Sequence, residues 1–283
     1  MQIDLIETFL DLIETRSFNR TGERLGITQS TVSGRVAALE AAVGARLFNR
    51  SRAGTDLTTE GLKFEGHART LRHEWNEALR RVQAPGTAAL NLRLGIQNDL
   101  VAGHIGDWVR EFRRALPETA FYIEPDYSAQ MCSDLVTGVL DFAVMFSPRA
   151  LPDLHFTSVG EVPYRLISSD TDRRDGLDPS RYIFAHFSPA FERTHRQLLP
   201  ELSGATLSVG QSMTVTALLT AMGGAGFVLE DTAKAMVAKG GFHLVNDVPM
   251  VAQPVFAASH LRHRISPLHR RLLRIVQKQL SGR

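Results

Sequence analysis

The chain reads as an α+β multidomain protein with a small helical unit carrying a short hairpin, then one long polar helix, then a larger α/β part. Three observations predict this. Apolar residues recur at helical spacing over residues 3–43; from 59 to 82 they fall alternately three and four apart on an otherwise charged helix; and from residue 90 onward alternating apolar runs take turns with amphipathic ones. At 283 residues and 43% hydrophobic content the chain can bury more than one core. Its formal net charge of +2 is too small to identify a partner, so the distribution of charge carries the information.

A first helix is expected over 3–15, with Ile6, Phe9, Leu10 and Ile13 as one apolar stripe and Asp4, Glu7, Asp11 and Glu14 outside. Residues 18–40 read as two short helices joined by a tight turn at Gly26-Ile27, with the Thr28 hydroxyl capping the second. Val32, Val36, Leu39 and Val43 face inward, which leaves Gln29, Ser30, Thr31, Ser33 and Arg35 outside with hydrogen-bonding groups. A polar face on a short, anchored helix suits a major groove, and these five are the candidate base or phosphate contacts. Residues 50–56 then form a turn between two short strands, a wing whose Arg50 and Arg52 can reach phosphates or a neighbouring minor groove. Between residues 16 and 58 seven arginines face only Glu23, Glu40 and Asp56, a local excess that supplies phosphate attraction. The alternative for these arginines is a solvated basic surface.

The run Thr28-Gln29-Ser30-Thr31-Val32-Ser33, followed by Leu39-Glu40, Gly44, Leu47-Phe48-Asn49-Arg50 and Leu57-Thr58-Thr59-Glu60-Gly61, resembles the N-terminal signature of LysR-type transcriptional regulators. Two departures stand out. Gly22 replaces an alanine usual in that family, at a helix cost of about 1 kcal/mol. Gly34 replaces a basic residue, which shifts readout toward Arg35. The resemblance implies a winged helix-turn-helix over 1–58, a linker helix over 59–84, a hinge over 85–89 and a two-lobed, periplasmic-binding-protein-like α/β effector domain over 90–283. It also implies double-stranded DNA with a two-fold-related operator, a small-molecule effector and RNA polymerase as partners. A homodimer or homotetramer would bring two reading heads to one duplex.

Along the long helix, Gly61, Phe64, Ala68, Leu71, Trp75, Ala78 and Val82 form a seam that needs one partner. That partner is either the same helix of a second subunit, as the resemblance implies, or the chain's own winged unit. Phe64, Ala68, Leu71, Trp75, Ala78 and Val82 are the dimerisation candidates. Pro85 and Gly86 break the helix.

Beyond the hinge, strands are expected at 90–96, 121–124 and 142–146 with helices at 99–116 and 131–140. A second set has strands at 164–167, 182–184, 206–209 and 227–229 with helices at 190–199 and 213–222. A strand at 255–259 and a helix at 266–280 close the chain. By resemblance these last two rejoin the first lobe, giving lobe 1 as 90–161 with 255–283 and lobe 2 as 162–254, with crossovers near Val162-Pro163 and Gln253-Pro254. Ligands of parallel α/β sheets sit where strands end and helices begin. Segments in that position carry Asn98, Asp99 and Leu100; Ser128, Ala129 and Gln130; and Gln211, Ser212 and Met213, with Phe146 nearby. They match the segments that line the family's effector cleft and suggest a small anionic metabolite. Asp99 argues instead for an amine or hydroxyl, and Asn98, Ser128 and Ser212 have a second reading as helix caps.

Other constellations point nowhere chemical. Cys132 is the only cysteine, so no internal disulfide forms and redox sensing has no resolving thiol. His260, His263 and His269 lie among arginines without an acidic or thiolate co-ligand, so no metal is expected. Gly223-Gly224-Ala225-Gly226 follows a helix and precedes a strand, the reverse of a phosphate loop. No catalytic motif and no cofactor site is found, so no enzyme is predicted. The N-terminus carries acids where a secretory signal needs bases, and no apolar run spans a bilayer, so the expected location is the cytoplasm, away from membranes. The competing functions are a solute-binding or enzymatic α/β domain with an N-terminal protein-interaction module, and a regulator of this type without ligand control.

Overall fold

The computed structural model describes residues 3–51, 54–83 and 90–281. Arg52 and the expected hinge at 85–89 lie outside the described residues, as does the side chain of Arg50. The chain divides into two compact units, residues 1–91 with 136–139 and residues 92–135 with 140–283.

The first unit contains α1 (Ile3–Thr15), α2 (Phe18–Leu25), α3 (Gln29–Val43), β1 (Phe48–Ser51), β2 (Gly54–Leu57) and α4 (Thr59–Gln83). Ile6, Phe9, Leu10 and Leu12 of α1 pack with Val36, Leu39, Leu47, Phe48 and Ala68 as one core. Phe9 is its centre, with ring centroids 5.2 Å from Phe48 and 5.3 Å from Phe64. The strands pair antiparallel with Phe48 opposite Leu57. Glu40 on α3 fixes the start of this hairpin, its carboxylate accepting from the amides of Leu47 (2.7 Å) and Phe48 (3.1 Å).

Two expectations for this unit are corrected. Asp11 is buried, because α1 is packed against α2 as well as α3 and α4, and Arg24 Nε pairs with its carboxylate at 3.0 Å. Burial raises the Asp11 pKa, with Arg24 and Thr21 pulling it back. Val43 is exposed, since the last turn of α3 runs past the core.

The seam of α4 is divided. Gly61 is buried so tightly that a Cβ there would stand 2.2 Å from the Leu47 carbonyl oxygen. Phe64 and Ala68 also pack on the chain's own core. Leu71, Trp75, Ala78 and Val82 are exposed on this chain, Val82 at 85%. At about 1.5 Å per residue, Trp75 lies roughly 20 Å past Gly61, beyond the reach of the small core. Ala68 is therefore a core residue of the first unit, and Phe64 is half-buried against that core.

Apart from the start of β3 and the end of α6, which fall in the first unit, the second unit contains β3 (Leu90–Gln97), α5 (Asn98–Ala115), β4 (Thr119–Asp126), α6 (Ser128–Thr137), β5 (Phe142–Met145), β6 (Leu154–Ser168), β7 (Tyr182–Ala185), α7 (Pro189–Leu198), β8 (Leu207–Val209), α8 (Ser212–Met222), β9 (Ala225–Leu229), α9 (Glu230–Lys239), β10 (His243–Leu244), β11 (Val251–His260) and α10 (Pro267–Ser281). One curled sheet runs in the order β4-β3-β5-β11-β6-β9-β7-β8, with β10 on β6. Its flanks are parallel, β3 with β5 and β7 with both β8 and β9. Its middle is a long antiparallel pair, β6 with β11.

That pair is where the structure departs most from the expected elements. Residues 164–167 are only the end of β6, and 255–259 only part of β11. Both expected crossovers lie inside the ladder, Val162 opposite Gln253 and Pro163 opposite Ala252. Pro163 and Pro254 read as breaks in sequence, yet antiparallel strands accept proline where its nitrogen is not needed by the ladder. α6 begins at Ser128 rather than 131, and α9 and β10 are additional. Among the described residues no helix is long and apolar enough to cross a membrane.

Candidate functional site

The face expected to read DNA is built by the turn before α3. Gly26 takes φ 66° and closes α2, and the Thr28 hydroxyl accepts from the Thr31 amide at 3.2 Å to open α3. Val32, Val36 and Leu39 bury the underside. Gln29, Ser30 and Thr31 are exposed, and Ser33 is half-buried. The Ser30 and Thr31 hydroxyls each lie 2.8 Å from that of Thr28, so the first turn presents a cluster of oxygens at one end of the helix.

Arg35 departs from this face. Its guanidinium donates to Asp4 Oδ2 at 3.0 Å and to the Thr8 hydroxyl at 3.3 Å, which ties α3 to α1. In the free chain this contact positions α3 on α1. Gly22 is also explained. A Cβ there would stand 2.8 Å from the Ile27 carbonyl oxygen, so α2 approaches the turn more closely than alanine permits.

In the second unit the expected cleft residues separate into two groups. Asp99, Ser212 and Ser128 are used internally. Asp99 Oδ1 accepts from the Ser212 amide at 2.8 Å and Oδ2 accepts from the Tyr164 hydroxyl at 2.7 Å. Burial raises the Asp99 pKa, while the Tyr164 hydroxyl and the Ser212 amide pull it back. Burial, with the Asp99 charge beside it, pushes the Tyr164 hydroxyl well above its usual value. The Ser212 hydroxyl accepts from the Leu229 amide at 3.2 Å. Ser128 donates to Gln97 Oε1 at 3.0 Å and accepts from the Ser147 amide at 3.2 Å.

The rest lie at the surface or in the core. Ala129, Gln130 and Met213 are exposed, Gln130 donating to Asp134 at 2.8 Å, and Asn98 and Gln211 are half-buried. Gln211 Nε2 donates to the Tyr127 hydroxyl at 3.2 Å. Leu100 is fully buried and belongs to the core, a correction to its place among the cleft residues. Phe146 is buried edge-on to Tyr164, which itself stacks on Phe187 with centroids 4.6 Å apart. Gln97 and Tyr127 lie in the segments the sequence places at the cleft, whereas Tyr164 is a partner that sequence reading missed. The one signal for Tyr164 was its place beside Pro163, next to the expected crossover. Separately, a pocket of about 880 Å³ opens among His104 of α5, Pro163, Thr216 of α8 and Met236 of α9, and none of the expected effector residues lines it.

The family described as bacterial regulatory helix-turn-helix protein, lysR family, matches residues 3–62, and the LysR substrate binding domain matches residues 86–281. The chain belongs to the LysR family. The HTH-type transcriptional regulator HdfR of Yersinia enterocolitica is 26% identical over 268 residues, covering 91% of this chain and 90% of that protein. Full-length LysG from Corynebacterium glutamicum with bound effector Arg is 20% identical with a TM-score of 0.58, covering 100% of this chain and 99% of that one. ArgP from Mycobacterium tuberculosis is 20% identical with a TM-score of 0.56, covering 98% and 97%. This LysR-type chain is a transcriptional regulator with an N-terminal helix-turn-helix DNA-binding domain and a C-terminal effector-binding domain.

Proposed function

We propose that the regulator reads a two-fold-related operator with Gln29, Ser30, Thr31 and Ser33, with Arg50 and Arg52 on phosphates and Arg35 holding α3 on α1. The observation that carries this reading is the solvent-open first turn of α3 above a fully buried underside. The domain plan is a winged head over 1–58, a linker helix to 84, a hinge over 85–89 and a sensor over 90–283. Leu71, Trp75, Ala78 and Val82 pair with the same helix of a second chain, since an exposed apolar stripe of this length on a charged helix needs a partner. A small molecule enters the sensor between its two half-sheets, near Asn98, Ala129, Gln130, Gln211 and Met213, and changes how the heads address DNA. The protein works in the cytoplasm by binding DNA, effector and RNA polymerase, without catalysing a reaction.

The test uses duplexes selected from a random pool by the full-length protein. Affinity is expected to fall steeply and linearly on a log–log scale with salt, and sedimentation is expected to show a dimer or tetramer that Trp75→Glu weakens. Salt-independent binding, or a monomer that still binds a two-fold site, would overturn the reading.

A further inference from the structure

The Asp99 carboxylate sits at the N-terminal end of α8. The start of α8 offers an unpaired amide and the positive end of a helix dipole, a ready anion position. That position is taken by the chain itself. Asp99 at the start of α5 accepts from the Ser212 amide and, through its other oxygen, from Tyr164 in β6. All three residues are buried, at 6%, 3% and 0% exposure. They come from both half-sheets and from the long strand that joins them, so the carboxylate spans the sensor as a bound acid would. The neighbouring hydroxyls are engaged too, Ser212 by the Leu229 amide and Ser128 by Gln97 and Ser147.

We propose that Asp99 is the specificity-determining residue of the sensor, a resident carboxylate that closes the α8 terminus to acidic effectors and holds the half-sheets together in their place. This rests on reading the sensor as an effector site. A ligand carboxylate arriving there meets a like charge within a few ångströms, and it competes with a tethered group at high effective concentration. An effector of the sensor is then held by groups other than the α8 terminus, and a carboxylate is not what selects it there.

The experiment removes the resident group and supplies a free one. Full-length Asp99→Ala is expected to melt several degrees below wild type, because the Ser212 amide and Tyr164 hydroxyl lose a charged acceptor. Sodium formate, compared with sodium chloride at equal ionic strength, is expected to restore a large part of that loss in the variant and to leave wild type unchanged. If the alanine variant does not fold, Asp99→Ser is expected to give the same formate-specific gain. The inference is overturned if formate stabilises neither variant beyond chloride, or if formate or acetate shifts the Ser212 amide resonance of wild type. Operator affinity of the rescued variant separates the two readings. A formate-dependent melting point with formate-independent DNA binding leaves Asp99 as the resident anion and removes the sensor from control of the head, whereas absent rescue sinks the inference alone.

Discussion

The two units treat their polar residues in opposite ways. At the start of α3, Gln29, Ser30 and Thr31 are exposed, and the hydroxyls of the last two reach only the capping Thr28. In the sensor, Asp99, Ser128 and Ser212 sit at comparable helix starts, yet each is engaged by a group from elsewhere in the fold. The difference separates two meanings of a polar residue at a helix start. An open one is available to a partner, while an engaged one organises its own domain and must be released before it can bind anything.

The largest expected effect follows directly. Gln29→Ala is expected to weaken operator binding by about 1–3 kcal/mol, about fivefold or more, with an unchanged melting temperature. Ser128→Ala is expected to do the reverse, lowering stability by about 1–3 kcal/mol and the melting temperature with it, because the Ser147 amide loses its acceptor. Gel shift and thermal melting on both variants check this. A stability loss in Gln29→Ala with unchanged DNA binding would erase the contrast.

A second effect distinguishes the sensor from the winged head by pH. Residues 1–58 hold no histidine, His67 and the buried His73 of the first unit lying beyond them on α4, whereas the sensor buries His195 completely among Phe184, Phe191 and Phe227. Burial, with Arg196 adding repulsion, lowers its pKa from 6.5 to about 4, and Nε2 lies 2.7 Å from the Tyr182 hydroxyl. The folded sensor therefore holds a neutral imidazole that the unfolded chain protonates more readily. Its contribution is fully present above 6.5 and is lost as pH falls toward 4. Melting followed across that window is expected to show the sensor transition falling with acid, and His195→Phe is expected to flatten the fall. An equal acid dependence in the variant would assign the effect to other groups, His260, whose pKa burial also lowers, among them.

How much of this was legible in the sequence depends on the distance between partners. The cap at Thr28, the stripe Val32-Val36-Leu39 and the turn at Gly26 are local, and their spacing alone places them. The seam of α4 was legible as apolar, but not that its first part faces the chain's own core. Asp99 meets Tyr164 across 65 positions and Ser212 across 113, and no periodicity reports such pairs. The same holds for β6 and β11, whose ladder passes through prolines that look like ends when each strand is read alone.

The smallest effect concerns two glycines in one motif, both departures from the family's usual residues. Gly22 meets the Ile27 carbonyl, so Gly22→Ala is expected to lose about 1–3 kcal/mol to overpacking against about 1 kcal/mol of helix propensity, a net destabilisation. Gly34 has nothing within 4 Å of a Cβ, so Gly34→Ala is expected to gain about 1 kcal/mol with no steric cost. Gly34 lies one turn beyond Ser30 on the exposed side of α3. If that side enters the groove, the added methyl must find room against base edges, and operator affinity is expected to drop as the melting temperature rises. Opposite signs in the two measurements place Gly34 on the DNA side. A simultaneous gain in both would move the reading face toward Gln29 and Ser33.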